Sequence, residues 1–180
     1  MSDYRIIFCG TAGAGKATAI ETVSSTPLAK TNDSANRAPI RRTAAPTVAL
    51  DHGVLNLGET DRVHLYGTPA LQSADFVQDI LSEGGLGLVL LIDNSRDAPF
   101  VDLDTYLNIL GDVSSETAFV IGVTKMDQSE SPGLREYGDH LRGFKLHNPV
   151  FEVDARKQRD VSILIQTLLY TLDPKVRANC

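Results

Sequence analysis

Near the start of the chain, Gly10-Thr11-Ala12-Gly13-Ala14-Gly15-Lys16 sets glycines and a lysine at the spacing G-x-x-x-x-G-K. The chemistry this spacing suits is the holding of phosphate. Glycines let the backbone turn tightly, so that successive N–H groups point inward at anionic oxygens. A helix-compatible segment follows from Ala17 and would present the positive end of its dipole to the same anion. The expected phosphate contacts are the backbone and side-chain groups of Gly13, Ala14, Gly15, Lys16 and Ala17, with Thr18 over the α-phosphate and the Lys16 ammonium at the β- and γ-phosphates. Ala17 stands where a Ser or Thr hydroxyl would bind Mg²⁺, and a methyl group offers a metal nothing.

Two further loops could complete such a site. Thr124-Lys125-Met126-Asp127 directly follows an apolar run and resembles the [N/T]-K-x-D guanine motif of Ras-like GTPases. The resemblance implies that Asp127 accepts both N–H groups of the guanine edge. It also implies that the Lys125 stem packs on the base while its ammonium supports the phosphate loop, with Thr124 beside them. Asp154-Ala155-Arg156-Lys157 follows the next strand candidate and looks like the S-A-K-type loop of that family. There a small residue lets a backbone N–H approach the guanine O6, so Ala155 and Arg156 join the base contacts.

The switch segments are more irregular. Pro46-Thr47 closes a long stretch rich in Pro, Ser, Thr and Asn, and Thr47 is the candidate to close over the γ-phosphate and metal. Gly67-Thr68-Pro69-Ala70-Leu71-Gln72 occupies the place of D-x-x-G-Q. Gly67 stands where a carboxylate would hold the Mg²⁺ water shell, Ala70 where a glycine N–H would sense the γ-phosphate, and Leu71 where a glutamine would orient water. Gln72 is one residue late. Thr47-Val48-Ala49-Leu50-Asp51 and Gly67-Thr68-Pro69 are similar to the pattern of bacterial Ras-like small GTPases related to the gliding-motility switch proteins. That resemblance runs over nearly the whole chain. It implies a P-loop G domain that binds GTP and GDP, with switch I about 26–47, switch II about 67–75, and a roadblock-type regulatory partner. Thr47, Ala49 and Asp51 alternate onto one strand face, so Asp51 is a candidate metal carboxylate in place of Gly67, or else a solvent-facing aspartate. Arg41 and Arg42 are candidates for an arginine finger in cis, or for solvated loop charges. Three functions stay open: a slow, partner-dependent GTPase switch with Thr47 and Gln72 as catalytic candidates, a non-hydrolysing guanine-nucleotide scaffold, and a P-loop small-molecule kinase.

The elements that must position these residues alternate between strand and helix. Strands are predicted over 4–9, 47–57, 62–66, 86–92, 118–123 and 150–153, and helices over 17–25, 73–82, 102–110, 134–141 and 161–172. The 47–57 and 62–66 pair, joined by Gly58-Glu59-Thr60-Asp61, reads as an antiparallel hairpin. The remainder is the pattern of a three-layer α/β domain. It calls for a mostly parallel six-stranded sheet with one antiparallel edge strand. Residues 26–46, with three prolines, are too long for an idle connection in a compact domain.

At 180 residues the chain fits one domain. Its apolar content of 42% and charged content of 22% are those of an ordinary globular protein. A net charge of −6 argues against nucleic-acid binding and attraction to anionic lipid. No run is apolar enough to insert in a membrane, and no secretory leader is evident, which predicts a cytoplasmic protein. Two cysteines, Cys9 in the first strand and Cys180 at the end, suggest free thiols. The four histidines show no metal-ligand spacing.

Overall fold

Leu86–Asp93 is a run in which both faces must be covered, because apolar residues occupy successive positions rather than alternate ones. The computed structural model, which describes residues 3–30, 51–58, 61–68, 86–111, 117–129 and 132–172, makes it a central strand. Leu88, Leu90 and Ile92 enter one core and Val89 and Leu91 the other. This is the period of two that a pleated strand imposes.

The strands are β1 (Asp3–Gly10), β2 (Ala29–Lys30), β3 (Asp51–Leu57), β4 (Asp61–Gly67), β5 (Leu86–Asp93), β6 (Phe119–Thr124) and β7 (Val150–Val153). They form one sheet in the order β2-β3-β4-β1-β5-β6-β7. β1 runs parallel to both β4 and β5, and β6 parallel to β5 and β7. β3 is antiparallel to β4, pairing Asp51 with Gly67 and Leu57 with Asp61. All six expected strands are present. The two-residue β2 adds a seventh beyond the antiparallel strand. Ser24 and Ser25 meet that edge further along: the Ser24 hydroxyl accepts from Val54 N at 3.1 Å, the Ser25 hydroxyl accepts from Asn56 N at 3.1 Å, and the Ser25 backbone N–H donates to Val54 O at 2.7 Å. Ladder groups that would otherwise recruit another strand are thereby occupied.

The described helices are α1 (Lys16–Val23), α2 (Pro99–Leu110), α3 (Leu134–Gly143) and α4 (Gln158–Leu172). α1 and α4 cover one face, where Ile20, Val23, Leu164, Ile165 and Leu168 pack on Ile6, Phe8, Val63 and Leu91. α2 and α3 cover the other, with Leu103, Leu107, Tyr137 and Leu141 against Cys9, Leu90 and Ile121. α2 begins three residues before the predicted start at 102, because Pro99 suits the first helical position. α4 likewise gains the turn Gln158-Arg159-Asp160, whose polarity hides it from a hydrophobic-period reading. At the start of α3, Glu136 Oε2 accepts from Gly133 N at 2.7 Å, satisfying a donor that the helix leaves free. The expected helix 73–82 and most of the segment 26–46 lie outside the described residues.

The strand order changes direction at β1, and the phosphate-loop sequence leaves the carboxyl end of that strand. In open α/β sheets this is where ligands bind.

Candidate functional site

The loop from Gly10 to Lys16 takes a conformation that its glycines make accessible. Gly10, Gly13 and Gly15 have φ of 137°, 80° and 92°, values that side-chain-bearing residues rarely adopt. Space is short as well. A Cβ on Gly10 would fall 2.0 Å from Leu91 O, and one on Gly15 would fall 2.9 Å from the Ala155 Cβ. The Lys16 ammonium folds back across the loop, donating to Gly10 O at 2.8 Å and Thr11 O at 2.7 Å. Burial lowers its pKa, against the opposing pull of the Cys9 thiol and the Asp51 carboxylate. Ala17 and Thr18 are exposed on the first turn of α1, and the Thr11 hydroxyl is buried with no hydrogen-bond partner among the described residues.

The second loop is tied to the first. Thr124 ends β6, is 3% exposed, and its hydroxyl reaches Ala14 O and Ile92 O, each at 3.2 Å. Lys125 adopts φ of 57°, which turns the chain into a short 3₁₀ helix, Met126–Gln128. This leaves Asp127 exposed at the mouth of the cleft. The Lys125 ammonium pairs with Asp93 Oδ2 at 2.5 Å. Asp93 is the last residue of β5, and its register partner on β6 is Thr124.

The third loop follows β7. Ala155 is buried, and its carbonyl accepts from the Thr22 hydroxyl of α1 at 2.9 Å. Arg156 grips Asp154 with two bonds, Nε to Oδ1 at 2.8 Å and Nη2 to Oδ2 at 2.9 Å. That grip, with the Arg156 N–H on the same carboxylate, holds Asp154 well below the usual carboxylate range. The Asp154 N–H in turn donates to Asp160 Oδ2 at 3.0 Å.

These loops enclose one cleft of about 680 Å³, lined by Gly13, Ala14, Gly15 and Thr18 from the phosphate loop and α1, by Thr124, Lys125 and Asp127, and by Asp154, Ala155 and Arg156. The phosphate and base residues named from the sequence are therefore together except Lys16 and Ala17, which do not line the cleft. Thr47 and Gln72 are not among the described residues, nor are Ala70, Leu71, Arg41 and Arg42.

Of the metal candidates Thr47 and Asp51, Asp51 lies among the described residues and Thr47 does not. Ala17 has no donor atom in its side chain, and neither does Gly67. Asp51 lies across the β3–β4 ladder from Gly67, and a Cβ on Gly67 would fall 3.2 Å from the Asp51 Cβ and 3.6 Å from its Oδ2. The Asp51 carboxylate thus occupies the neighbourhood that an aspartate at position 67 would fill. No group of three or more His, Cys, Asp or Glu side chains forms a metal cluster among the described residues. Among the described residues this leaves the Asp51 carboxylate and no hydroxyl at position 17, one protein donor fewer than the Ser/Thr and carboxylate pair that holds Mg²⁺ in P-loop NTPases.

Several residues that hold the site were not singled out from the sequence. Asp93 carries the faint signal of a charge ending an apolar strand. Asn94 and Tyr137 carry none: the Tyr137 hydroxyl donates to Asn94 Oδ1 at 2.7 Å, and Asn94 Nδ2 donates to Ser129 O at 3.3 Å. Burial pushes the Tyr137 phenol up, which keeps it a donor. Thr22 was likewise indistinguishable from any helix threonine. No described helix is long and apolar enough to cross a membrane.

No protein-family model matches the chain, and no curated protein matches it. Among solved structures it is similar to the G domain of the T. maritima FeoB iron transporter, with TM-score 0.67 and 17% identity over 95% of this chain and 99% of that one. The likeness is one of fold, and the fold of this chain is that of a P-loop G domain.

Proposed function

We propose that the chain is a guanine-nucleotide-binding protein, a GTP/GDP switch with slow intrinsic hydrolysis, cytoplasmic and of the bacterial Ras-like type related to the gliding-motility switch GTPases. The observation that supports this most is the shared cleft of the phosphate loop, the 124–127 loop and the 154–156 loop. Gly13, Ala14, Gly15, Lys16, Ala17 and Thr18 take the phosphates. Asp127 takes the two donors on the guanine edge, the Ala155 N–H takes O6, and Thr124, Lys125 and Arg156 frame the base. A roadblock-type protein is the proposed regulator.

The slow hydrolysis follows from what phosphoryl transfer needs. It is mostly positioning and charge stabilisation. Ala17 and Gly67 supply neither metal ligand, and Leu71 has no group to orient water. Thr47 and Gln72 remain the catalytic candidates, with Asp51 and Thr47 as the groups nearest in character to a metal ligand. The same substitutions support a second reading, a scaffold that binds GTP without hydrolysing it.

Competition of GTP and ATP for a fluorescent guanine nucleotide tests the base assignment. A site built on paired donors and acceptors discriminates by about 10⁴-fold, because the wrong base leaves polar groups unpaired. Equal competition by ATP sinks the guanine assignment and returns the kinase reading. Single-turnover phosphate release then separates the switch from the scaffold. We expect the chain with Ala17→Thr, Ala70→Gly and Leu71→Gln to release phosphate at least about tenfold faster than the unaltered chain. Equal rates mean that these substitutions are not what slows the chemistry.

A further inference from the structure

We infer that Asp93 is a positioning residue of the nucleotide site, holding the Lys125 ammonium against the phosphate loop at Gly13 so that bound guanine nucleotide is retained. The inference rests on the reading of the cleft as a guanine-nucleotide site.

Asp93 is 4% exposed, and a carboxylate so placed persists only where both oxygens are satisfied. Here they are. Oδ2 takes the Lys125 ammonium at 2.5 Å, while Oδ1 accepts from Ser95 N at 3.0 Å and from the Ser95 hydroxyl at 2.6 Å. Burial alone pushes the Asp93 carboxyl up, but the bonds from Lys125 and Ser95 outweigh it and hold the group below its ordinary value, ionised. The parallel register of β5 and β6, Asp93 beside Thr124, brings the carboxylate to the lysine.

The pair abuts the phosphate loop at one point. A Cβ added to Gly13 would lie 3.9 Å from Asp93 Oδ2 and 3.9 Å from Lys125 Nζ. Lys125 also holds a left-handed backbone, φ 57°, which a residue with a side chain keeps only when its surroundings hold it there. A lysine stem is otherwise among the most mobile of side chains. Pinned at its tip by Asp93, it becomes a fixed wall of the cleft between the phosphate loop and Asp127. Thr124 gives the same loop its second anchor, on Ala14 O.

The test is release of a fluorescent GDP from the full chain, chased with excess GDP, alongside thermal melting. Asp93→Asn keeps the shape of the side chain and removes its charge. We expect release about tenfold faster, the scale of one charge-assisted hydrogen bond, with the preference for GTP over ATP unchanged because Asp127 is untouched. Lys125→Met should act alike, and Asp93→Asn with Lys125→Met should release no faster than Lys125→Met alone. Ser95 is exposed, so Ser95→Ala keeps the fold and should speed release by about two- to fivefold. Release at the unaltered rate by a folded Asp93→Asn, or effects of the two substitutions that multiply in full, overturns the inference and leaves Asp93 a support of the fold. Should Asp93→Asn not fold, unaltered release by Ser95→Ala overturns it. An unaltered chain that retains no guanine nucleotide overturns the reading of the cleft and the inference together.

Discussion

Ala17, Gly67 and Asp51 decide how this site meets a metal. Two positions from which a G domain ordinarily holds Mg²⁺ carry no donor atom, and the carboxylate facing Gly67 comes from the neighbouring strand instead. Mg²⁺ keeps most of its waters and tolerates little departure from octahedral geometry, so one borrowed carboxylate should hold it weakly. Nucleotide affinity measured with Mg²⁺ and with EDTA is expected to differ by less than about tenfold, under about 1.4 kcal/mol. Asp51→Ala should erase the remaining difference. A strong Mg²⁺ requirement that survives Asp51→Ala would show that the donors lie elsewhere. Residue types were easy to read here because chemistry is written in them: a missing hydroxyl at Ala17 is visible in any alignment of letters. Asp93 was not readable in this way. Its burial and its lysine partner come from two strands adjacent in the sheet but distant in the chain.

At the scale of elements, the site depends on how closely its loops approach. The Ala155 loop leans on the phosphate loop with no room between them, as the 2.9 Å approach of a notional Gly15 Cβ to Ala155 shows. Gly15 also sits at φ 92°. Gly15→Ala therefore combines a left-handed backbone penalty of about 1–2 kcal/mol with a clash that must push one loop away. The expected outcome is a loss of about 2 kcal/mol or more of unfolding free energy, with weaker nucleotide binding. Denaturant titration and nucleotide binding check it, and an unaffected midpoint would show that the loops can part freely. The G-x-x-x-x-G-K spacing made Gly15 an obvious candidate for φ freedom. That Ala155 is what presses on it belongs to the tertiary packing of the loop after β7 against α1, where the Thr22 hydroxyl donates to Ala155 O. Element boundaries followed the same logic. α2 and α4 each begin one turn before the spacing predicts, at Pro99 and at Gln158: proline suits the first helical position, and the turn 158–160 is polar and carries no hydrophobic period.

Across the whole molecule, one feature couples the sheet to pH. His52 on β3 and His64 on β4 meet at 3.3 Å through Nε2 and Nδ1, their rings nearly parallel at 6° with centroids 5.6 Å apart. A nitrogen-to-nitrogen line that short, with the ring centres set that far apart, is an in-plane N–H···N contact that one ring must be neutral to accept. Burial first, and then the charge of His64, lower the pKa of His52. The neutral ring is thus favoured in the folded state. Its contribution to stability is full above the ordinary imidazole value of about 6.5 and is lost as pH falls through the lower folded-state value. The melting temperature should fall between pH 7.5 and pH 5.5, and His52→Phe should flatten that fall. An identical slope in His52→Phe would assign the dependence to other groups. What the sequence determined by itself was local: the glycine-rich turn at 10–16, the loops that leave β6 and β7, the alternation of strand and helix, and the apolar runs that must be central strands. Spacing and residue type suffice for these, because each is set by interactions within a few residues of chain. Only the tertiary structure decided that β3 faces Gly67 with Asp51, that β2 and two serines close the edge, and that Asp93, Asn94, Tyr137 and Thr22 hold the site together. These pairings join residues far apart in the chain through sheet register and helix packing, and nothing in the spacing of the letters records which distant partner a buried polar group will find.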